Sequence, residues 1–581
     1  VANAAQDYDE RGKVAIKMNM DKMGTNIWGK MTSKNIGKPI AIVLDNVVYS
    51  APNVNDAITT GNSQISGNYS LKTAQDLAEI LESGKLPAPA KIVQEQQVGP
   101  TLGKASINGG MMAFGISFLV IFALMLIYFN TGGMVANIAL ILNLLFTIGI
   151  LSALGFTLTA PGIAGLVLTI GMAVDTNVII FERIKEEIKD GRSYTSAVEI
   201  GFQRAWSSIR DSNFSSLITC GILYYFGTSI IKGFALNLAA GILISMFTAV
   251  SVTRLLMLTL KNRKFNENAT LMGYLKNKST KPPFKIIEKS KIWLGFSGIL
   301  ITISLVSLIF NGLNTGIDFK GGSLLDIKFP AENPITTEQI KESLTKTDPT
   351  LESSTIISSG QNSYLIRTHH ISNETHDLII SNFKTDISAN LEETRFTTIG
   401  PSVSNALKHK AVLSLAIAMI AIIFYIAFAF RHIPKELSSW KFGTSAIVAL
   451  IHDVIITLGV FSIFNLEIDA LFITALLTVI GFSVHDTIVV FDRIRENLKF
   501  YDSKKETFND VCDVALTQTM ARSINTSLST VITLVALIIF GATNIFNFVL
   551  ALLIGIIVGT YSSIFIASPV LSFMINRSKE K

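Results

Sequence analysis

Apolar residues in this chain gather into long uninterrupted runs, broken by two polar segments of about a hundred residues and by short basic loops. A hydrocarbon core about 30 Å thick and a rise of 1.5 Å per residue call for about 20 apolar residues per helical span. Eleven stretches read as spans: 109–129, 134–155, 160–181, 212–228 and 233–258, then 292–311, 411–430, 443–464, 469–491, 524–541 and 545–572. The runs are also repeated. GMAVDTNVIIFERIKE at 171–186 aligns without a gap with GFSVHDTIVVFDRIRE at 481–496, an offset of 310. LILNLLFTIG (140–149) matches LIHDVIITLG (450–459) at the same offset, pairing Asn143 with Asp453. At an offset of 314, DSNFSSLITCGILYYFG (211–227) matches NTSLSTVITLVALIIFG (525–541), which sets Asp211 against Asn525.

The pattern predicts two related membrane halves. An odd count divided five and six leaves the first half one helix short, and we expect a further helix before Val1. The opening VANAAQDYDERGK has no charged stretch followed by an apolar core, so it is not a signal peptide. The loops after the third and ninth spans carry Arg183, Lys185, Lys189, Arg192 and Arg493, Arg495, Lys499, Lys504, Lys505, and the linker 259–291 is rich in lysine. By the positive-inside rule these face the cytoplasm, which puts 1–106 and 312–410 on the opposite side.

Both polar segments read as mixed α/β. KPIAIVLDNVVYSA predicts a strand pair around Asp45 and Asn46, and LKTAQDLAEILESGK a helix ending at Gly84. In the second segment GGSLLDIKF is a strand, and Thr336 with Gln339 forms a capping box opening a helix. Strands at SYLIRTHH and TRFTTIG complete a βαββαβ order, which predicts a small ferredoxin-like domain. VGPTLGKA (98–105) and IGPSVSNA (399–406) correspond, each leading from a polar segment into the membrane.

Composition agrees with a membrane protein: 49% hydrophobic and 16% charged residues over 581 positions, with mean hydropathy +0.46. The net charge of +6 lies beside the spans, where it sets topology, so nucleic acid is excluded as a partner. Cys220 falls in an apolar run and Cys512 in a charged loop, which gives no disulfide framework.

Polar residues at membrane depth are the candidate chemistry. They are Asn143, Asp175, Asn177 and Asp211 in the first half, and His452, Asp453, His485, Asp486, Arg522 and Asn525 in the second. A carboxylate there costs roughly 2.5–3.5 kcal/mol on insertion scales, so Asp175, Asp486 and Arg522 are expected to couple the movement of a proton. Arg522 and Asn525, three apart on one helical face, are placed to offer donors to Asp486, unless Arg522 snorkels to the surface. Asp211, His452, Asp453, His485 and Asn525 are secondary candidates, with interhelical hydrogen bonding as the competing role. His485 is expected to be a neighbour of the acid and no relay, and Asn143 and Asn177 to be packing residues. Glycines 165, 171, 481 and 555 read as close-packing positions, and the helix ends FERIKEE and FDRIREN as solvated amphipathic turns.

GMAVDTNVIIFERIKEE with SGKLPAPAKIVQEQQVGPTLG resembles SecD, whereas TGIDFKGGSLLDIKF, LIHDVIITLG, SVHDTIVVFDRIREN and RSINTS resemble SecF. The chain is similar to SecDF fusions over about 35–575, within the resistance-nodulation-division superfamily. The resemblance implies an α-helical membrane protein of two pseudo-symmetric bundles with small α/β ferredoxin-like periplasmic domains. It divides the chain into a periplasmic remnant (1–106), a SecD bundle (107–260), a basic cytoplasmic linker (261–291), a first SecF helix (292–311), a SecF periplasmic domain (312–410) and a SecF bundle (411–581). The first part would be the base of a larger domain whose substrate-gripping head lies before Val1.

The implied function is an accessory subunit of the Sec translocase in the bacterial inner membrane, using the proton-motive force in late export and acting as no enzyme. Implied partners are the SecYEG channel, YajC and YidC, unfolded exported polypeptide and membrane lipids. The resemblance carries the family's coupling acids onto Asp175 and Asp486 and its arginine onto Arg522. No cofactor is expected beyond the proton gradient, with sodium as the other candidate ion. A proton-driven small-molecule or lipid exporter of the same superfamily is the alternative. An intramembrane aspartyl protease lacks support, since no GxGD precedes a membrane aspartate.

Overall fold

The computed structural model describes all residues except 1, 10–11, 45–46, 68, 84–92, 157–158, 260–283, 331–334, 361, 432, 434–437, 501–505, 542–544 and 580–581. Asp45, Asn46, Gly84, Lys504, Lys505 and most of the basic linker, for which turns and loops were expected, lie outside the described residues. The chain forms two compact units, Val1–Ile92 and Val93–Lys581.

In the first unit the elements run β1 (Asn3–Tyr8), β2 (Val14–Asn19), α1 (Lys22–Lys34), β3 (Ile42–Leu44), β4 (Val47–Ser50), β5 (Asn62–Ser66) and α2 (Leu71–Ser83). Strands β1, β2 and β5 make an antiparallel sheet in that order, and β3 pairs with β4 as the expected hairpin. Alternation turns Ile16 and Ile65 onto the face of α2, where Ala74, Leu77 and Ala78 close a small core. Asp21 caps α1 by accepting from the Gly24 N–H.

The second unit opens with β6 (Gln94–Val98). The first bundle follows as α3 (Pro100–Phe129), α4 (Thr131–Ala153), α5 (Ala160–Lys189), α6 (Tyr194–Phe226), α7 (Ser229–Phe247) and α8 (Thr253–Thr259). After α9 (Ser290–Phe310), a small domain comprises β7 (Asn314–Thr315), α10 (Ile317–Lys320), β8 (Gly322–Lys328), α11 (Thr337–Thr347), β9 (Thr355–Gly360), β10 (Ser363–Thr368), α12 (Asn373–Asp386) and β11 (Glu392–Ile399). The second bundle is α13 (Pro401–Ala429), α14 (Ser439–Ile463), a short strand β12 (Glu467–Ile468), α15 (Ala470–Asn497), α16 (Phe508–Phe540), α17 (Phe546–Ser562) and α18 (Ser568–Lys579).

Ten helical spans among the described residues are long and apolar enough to cross a membrane. The expected span 212–228 lies in α6, a single 33-residue helix whose polar positions, including Arg210, Asp211 and Asn213, dilute its hydropathy. It is still packed between α5, α7, α13 and α15. Its repeat partner α16 is also 33 residues long, because polar turns expected as loop continue the helix. A π-helical turn interrupts the last span of each half, at Thr248–Val252 and Ser563–Ala567.

Burial ranks the spans. In the membrane windows of α5 and α15, 89% and 94% of residues are buried, against 17% for α9 and 28% for α3 and α13. The two repeated segments are therefore the central helices. Each packs across the pseudo-symmetric divide, α5 on α16 and α15 on α6. Glycine permits the approach: a Cβ on Gly171 would lie 3.1 Å from Thr530 Cα, and one on Gly481 would lie 2.5 Å from Thr219 Oγ1. Gly165 and Gly555 likewise face Phe234 and Val479 closely, as close-packing positions should.

The small domain has the predicted βαββαβ order, and Thr336 and Gln339 form the predicted capping box. Its antiparallel sheet runs β6-β11-β8-β10-β9, so four strands take the ferredoxin-like arrangement and the fifth, β6, comes from residues 94–98. The two Gly-Pro junctions thereby become reciprocal. Gly99 N–H donates to Thr394 O and Gly400 N–H donates to Val93 O, both at 2.8 Å, and Pro100 and Pro401 start the membrane helices α3 and α13.

The domain is also fastened to the α14–α15 turn. Strand β7 pairs in parallel with β12, Asp318 accepts from the Ala470 N–H at 2.8 Å, and Arg367 ion-pairs with Glu467. Asp469 caps α15 by accepting from the Phe472 N–H at 2.8 Å. Burial, with the nearby charge of Asp318, pushes the Asp469 carboxyl up to about 7. In an unfolded chain an aspartate titrates near about 4, so between these values the folded state holds the extra proton. Its contribution to stability is full below about pH 4 and is lost as pH rises through about 7. Asp469→Asn keeps a cap acceptor and removes this titration. In thermal unfolding across about pH 5 to about pH 8, its stability should decline less than that of the parent protein. Parallel declines would refute the assignment.

Candidate functional site

Asp175 sits on α5, His485 and Asp486 on α15, and Arg522, Ser523 and Thr526 on α16, each buried by 92% or more of its surface. Arg522 Nη2 donates to Asp175 Oδ1 and Oδ2 at 3.2 and 3.3 Å. His485 Nε2 lies 2.7 Å from Asp175 Oδ2 and donates to it as the protonated nitrogen, and the Thr526 hydroxyl donates to Oδ1. Ion pair and hydrogen bonds together offset the desolvation of the carboxylate.

Asp486 is held more sparsely. Ser523 Oγ donates to its Oδ1 at 2.7 Å, while Oδ2 has no hydrogen-bond partner among the described residues. Arg522 Nε and Nη1 also have none. Arg522 thus engages Asp175 and not Asp486, contrary to the expectation from sequence. The reason is helical phase. Asp175 and Asp486 differ by one position in the repeat, about 100° around a helix, so the two carboxylates approach α16 from different sides. Arg522 does not snorkel: its side chain is 6% exposed. His485, expected as a neighbour, touches the acid directly and occupies the same repeat position as Asp175.

The secondary candidates lie elsewhere. Asp453, on α14, accepts from His452 Nδ1, Ser483 Oγ and Ser562 Oγ at 2.9, 2.7 and 2.8 Å, forming a separate buried polar cluster within the second half. Asp211 is bonded by its neighbour Arg210 at 2.9 Å, and Asn525 reaches Tyr128 on α3, so neither joins the central cluster. Asn177 accepts from Thr253 Oγ1 at 3.0 Å, the interhelical role expected of it. Ser523 and Thr526 were not singled out from the sequence. Thr526 follows Arg522 by four positions, the spacing that puts its hydroxyl on the same helix face, whereas Ser523, one position on, is turned about 100° and meets Asp486.

The helix ends FERIKEE and FDRIREN correct a second expectation, since their charges are paired and only partly solvated. The Arg183 side chain is 11% exposed, Arg493 8% and Glu187 1%, and the pairs Arg183–Glu496, Arg493–Glu186 and Arg204–Glu496 run between the halves. Because α5 and α15 continue without a break to Lys189 and Asn497, their last turns stay packed beside α6 and α16. Charges there have to find partners.

Two bundles of five and six membrane helices, central helices joined by a buried ion pair, and paired strand-to-helix junctions make up a pseudo-symmetric membrane protein of the resistance-nodulation-division type. Family comparison narrows this. The model described as "Protein export membrane protein SecD/SecF, C-terminal" matches residues 81–263 and 379–577, and the SecD/SecF GG motif matches 306–329. The chain is 32% identical to the protein translocase subunit SecDF of Brucella abortus, covering 98% of this chain and 74% of that one. It is 35% identical to SecDF of Bacillus subtilis, over 90% of this chain and 71% of that one. The crystal structure of SecDF from Thermus thermophilus superposes with a TM-score of 0.78 at 32% identity, covering 99% of this chain and 77% of that chain. A crystal structure of SecDF in a "Super-membrane-facing form" superposes with a TM-score of 0.66.

The chain belongs to the SecD/SecF family and carries both parts in the manner of SecDF, a multi-pass membrane protein with an accessory role in Sec protein translocation. Residues 1–88 match the "SecDF, P1 head subdomain", which replaces the expectation that 1–106 is the base of that domain.

If Asp175 and Arg522 depend on one another, breaking one side should cost more than removing both. Arg522→Gln, which leaves a buried carboxylate without its cation, should destabilise the protein by about 3–5 kcal/mol, and adding Asp175→Asn should recover much of that loss. Chemical or thermal unfolding in detergent measures the cycle. Simple additivity of the two single changes would show that the pair is not an energetic unit.

Proposed function

We propose that this protein draws on the proton-motive force to assist the late stage of polypeptide export across the bacterial inner membrane, working beside the SecYEG channel with YajC and YidC. The observation that carries the reading is the Asp175–Arg522 pair, which joins a helix of the first half to one of the second.

Protonation of Asp175 cancels its attraction for Arg522 and leaves a cation in a nonpolar setting, at a cost of several kcal/mol. Asp486, to which Ser523 alone donates among the described residues, lies close enough to feel the charge of Arg522 and can compensate it. Transfer of Arg522 between the two acids would rock α5 against α16, and loss of the proton to the other side would reset the pair. His485 keeps Asp175 hydrogen-bonded as the arginine leaves.

The Gly-Pro junctions turn such rocking into movement of the extracytoplasmic domain, because α3 and α13 start from adjacent strands of one sheet. Repeats around a midplane site support this kind of cycle in transporters. The basic loops face the cytoplasm in this reading, and exported polypeptide is engaged on the far side. The coupling ion is the proton; a sodium-driven cycle would use the same residues.

Inverted vesicles exporting a Sec substrate under an imposed gradient test the reading, using the full-length protein. Asp175→Asn should abolish the gradient-dependent part of export and spare the ATP-driven part. Undiminished gradient dependence would defeat the coupling role. Repeating the parent assay with a sodium gradient at constant pH identifies the ion, and stimulation by sodium alone would replace the proton.

A further inference from the structure

Two equivalent ion pairs close the basic-loop end of the central helices. Arg183 and Glu186 on α5 correspond in the repeat to Arg493 and Glu496 on α15. Each arginine reaches the glutamate of the other half: Arg183 Nη2 lies 2.8 Å from Glu496 Oε2, and Arg493 Nη2 lies 2.8 Å from Glu186 Oε1. Each also keeps the glutamate three residues on in its own helix, Arg183 with Glu186 at 3.1 Å and Arg493 with Glu496 at 2.9 Å. Two cations and two anions therefore form a closed ring about the pseudo-symmetry axis.

The ring is braced on both flanks. Arg493 Nε donates to Gln518 Oε1 of α16 at 2.6 Å. Arg204 of α6 bridges Glu496 and Glu187, and Glu187 in turn takes Arg192 at 2.6 Å. Among the described residues, each ion pair that crosses between the halves at this end uses an arginine, whose fixed fork can hold two carboxylates at once. Isolated ion pairs at a surface contribute little. This set repeats, joins the halves and involves two arginine side chains only 11% and 8% exposed.

From Asp175 to Arg183 is eight residues of continuous helix, about 12 Å at 1.5 Å per residue. A helix that moves at Asp175 therefore also moves at the ring. Discrete ion pairs suit a two-state contact, being either made in register or broken.

We propose that Arg183, Glu186, Arg493 and Glu496 are positioning residues that form a reciprocal latch between the two halves, and that this latch opens and re-forms in each working cycle. The latch rests on the reading that the halves rock, but its residues take no part in ion transfer. Opening separates α5 from α15 at the basic end and exposes the path toward Asp175 and Asp486; re-forming closes it.

Two measurements on the full chain test this. In a background with Cys220→Ser and Cys512→Ser, Lys189→Cys with Lys499→Cys, exposed positions outside the ring, is bridged by a reducible bifunctional thiol reagent and assayed in the gradient-driven vesicles. Bridging should reduce gradient-dependent export to that of vesicles without the protein, and reductant should restore it. Full export by bridged protein would overturn the latch, whether or not Asp175→Asn has an effect. In the same cysteine-free background, spin labels at the exposed positions Lys189 and Lys499 report the separation of the helix ends. Arg183→Gln with Arg493→Gln should add a longer-distance population, and lysine at both positions should partly reverse it. A distance distribution unchanged by glutamine would likewise overturn the proposal.

Discussion

The contact between Asp175 and Arg522 is the constraint around which the membrane core is arranged. Two opposite charges within apolar helices each lose several kcal/mol of hydration, and only close pairing with further hydrogen bonds makes the site tolerable. The surrounding structure supplies those conditions. Gly171 lets α5 come within reach of α16, Thr526 and His485 saturate the carboxylate, and the three helices that contribute are the most enclosed or the longest of the bundle. The pair also spans the two halves. In the proposed cycle their relative position follows a charge state, because separating an intact pair would strand both ions, whereas a protonated acid can let go.

Pseudo-symmetry explains what is shared by the halves, and its violations explain where chemistry can occur. Shared features include the Gly-Pro junctions, the π-helical turns in the last spans and the crossing of α5 on α16 and α15 on α6. The violations are few. At one repeat position the first half has Asp175 and the second has His485, and these meet at 2.7 Å. At the next, Thr176 faces the repeat position of Asp486, and Arg522 has Ser208 in the corresponding place. A duplicated scaffold thus holds a single, directional set of charges.

Much of this architecture was legible in the sequence because bilayers impose simple rules. Span length, the repeat and the buried acids follow from hydropathy and alignment, and the βαββαβ order from strand and helix periodicity. What was not legible depended on contacts between distant segments. Residues 94–98 look like the end of the first polar segment, yet β6 finds its partner in β11 some three hundred positions later, and no local pattern encodes that choice. The partner of Arg522 was misassigned because a helical face was considered without the phase of its neighbours. Amphipathic sequence near a membrane surface is usually solvated, and nothing local to these helix ends shows that Arg183 and Arg493 find glutamates on the other repeat.

The two fastenings between the halves differ in a way that assigns them different work. At membrane depth Arg522 pairs with Asp175, whose side chain is 3% exposed, so the contact is scarcely screened by salt. At the basic end there are several arginines and glutamates, with Glu186 31% exposed and Glu496 20% exposed, so water and ions can replace any one contact as it breaks. In the proposed cycle the deep pair sets which state is favoured, since protonation of the acid removes its attraction for the cation. The outer ring cannot choose between states by itself, because its charges persist in both, but it can make each state geometrically distinct. A switch at one depth and a register at another, joined by two unbroken helices, is a sufficient arrangement for a small chemical event to produce a definite displacement of large domains.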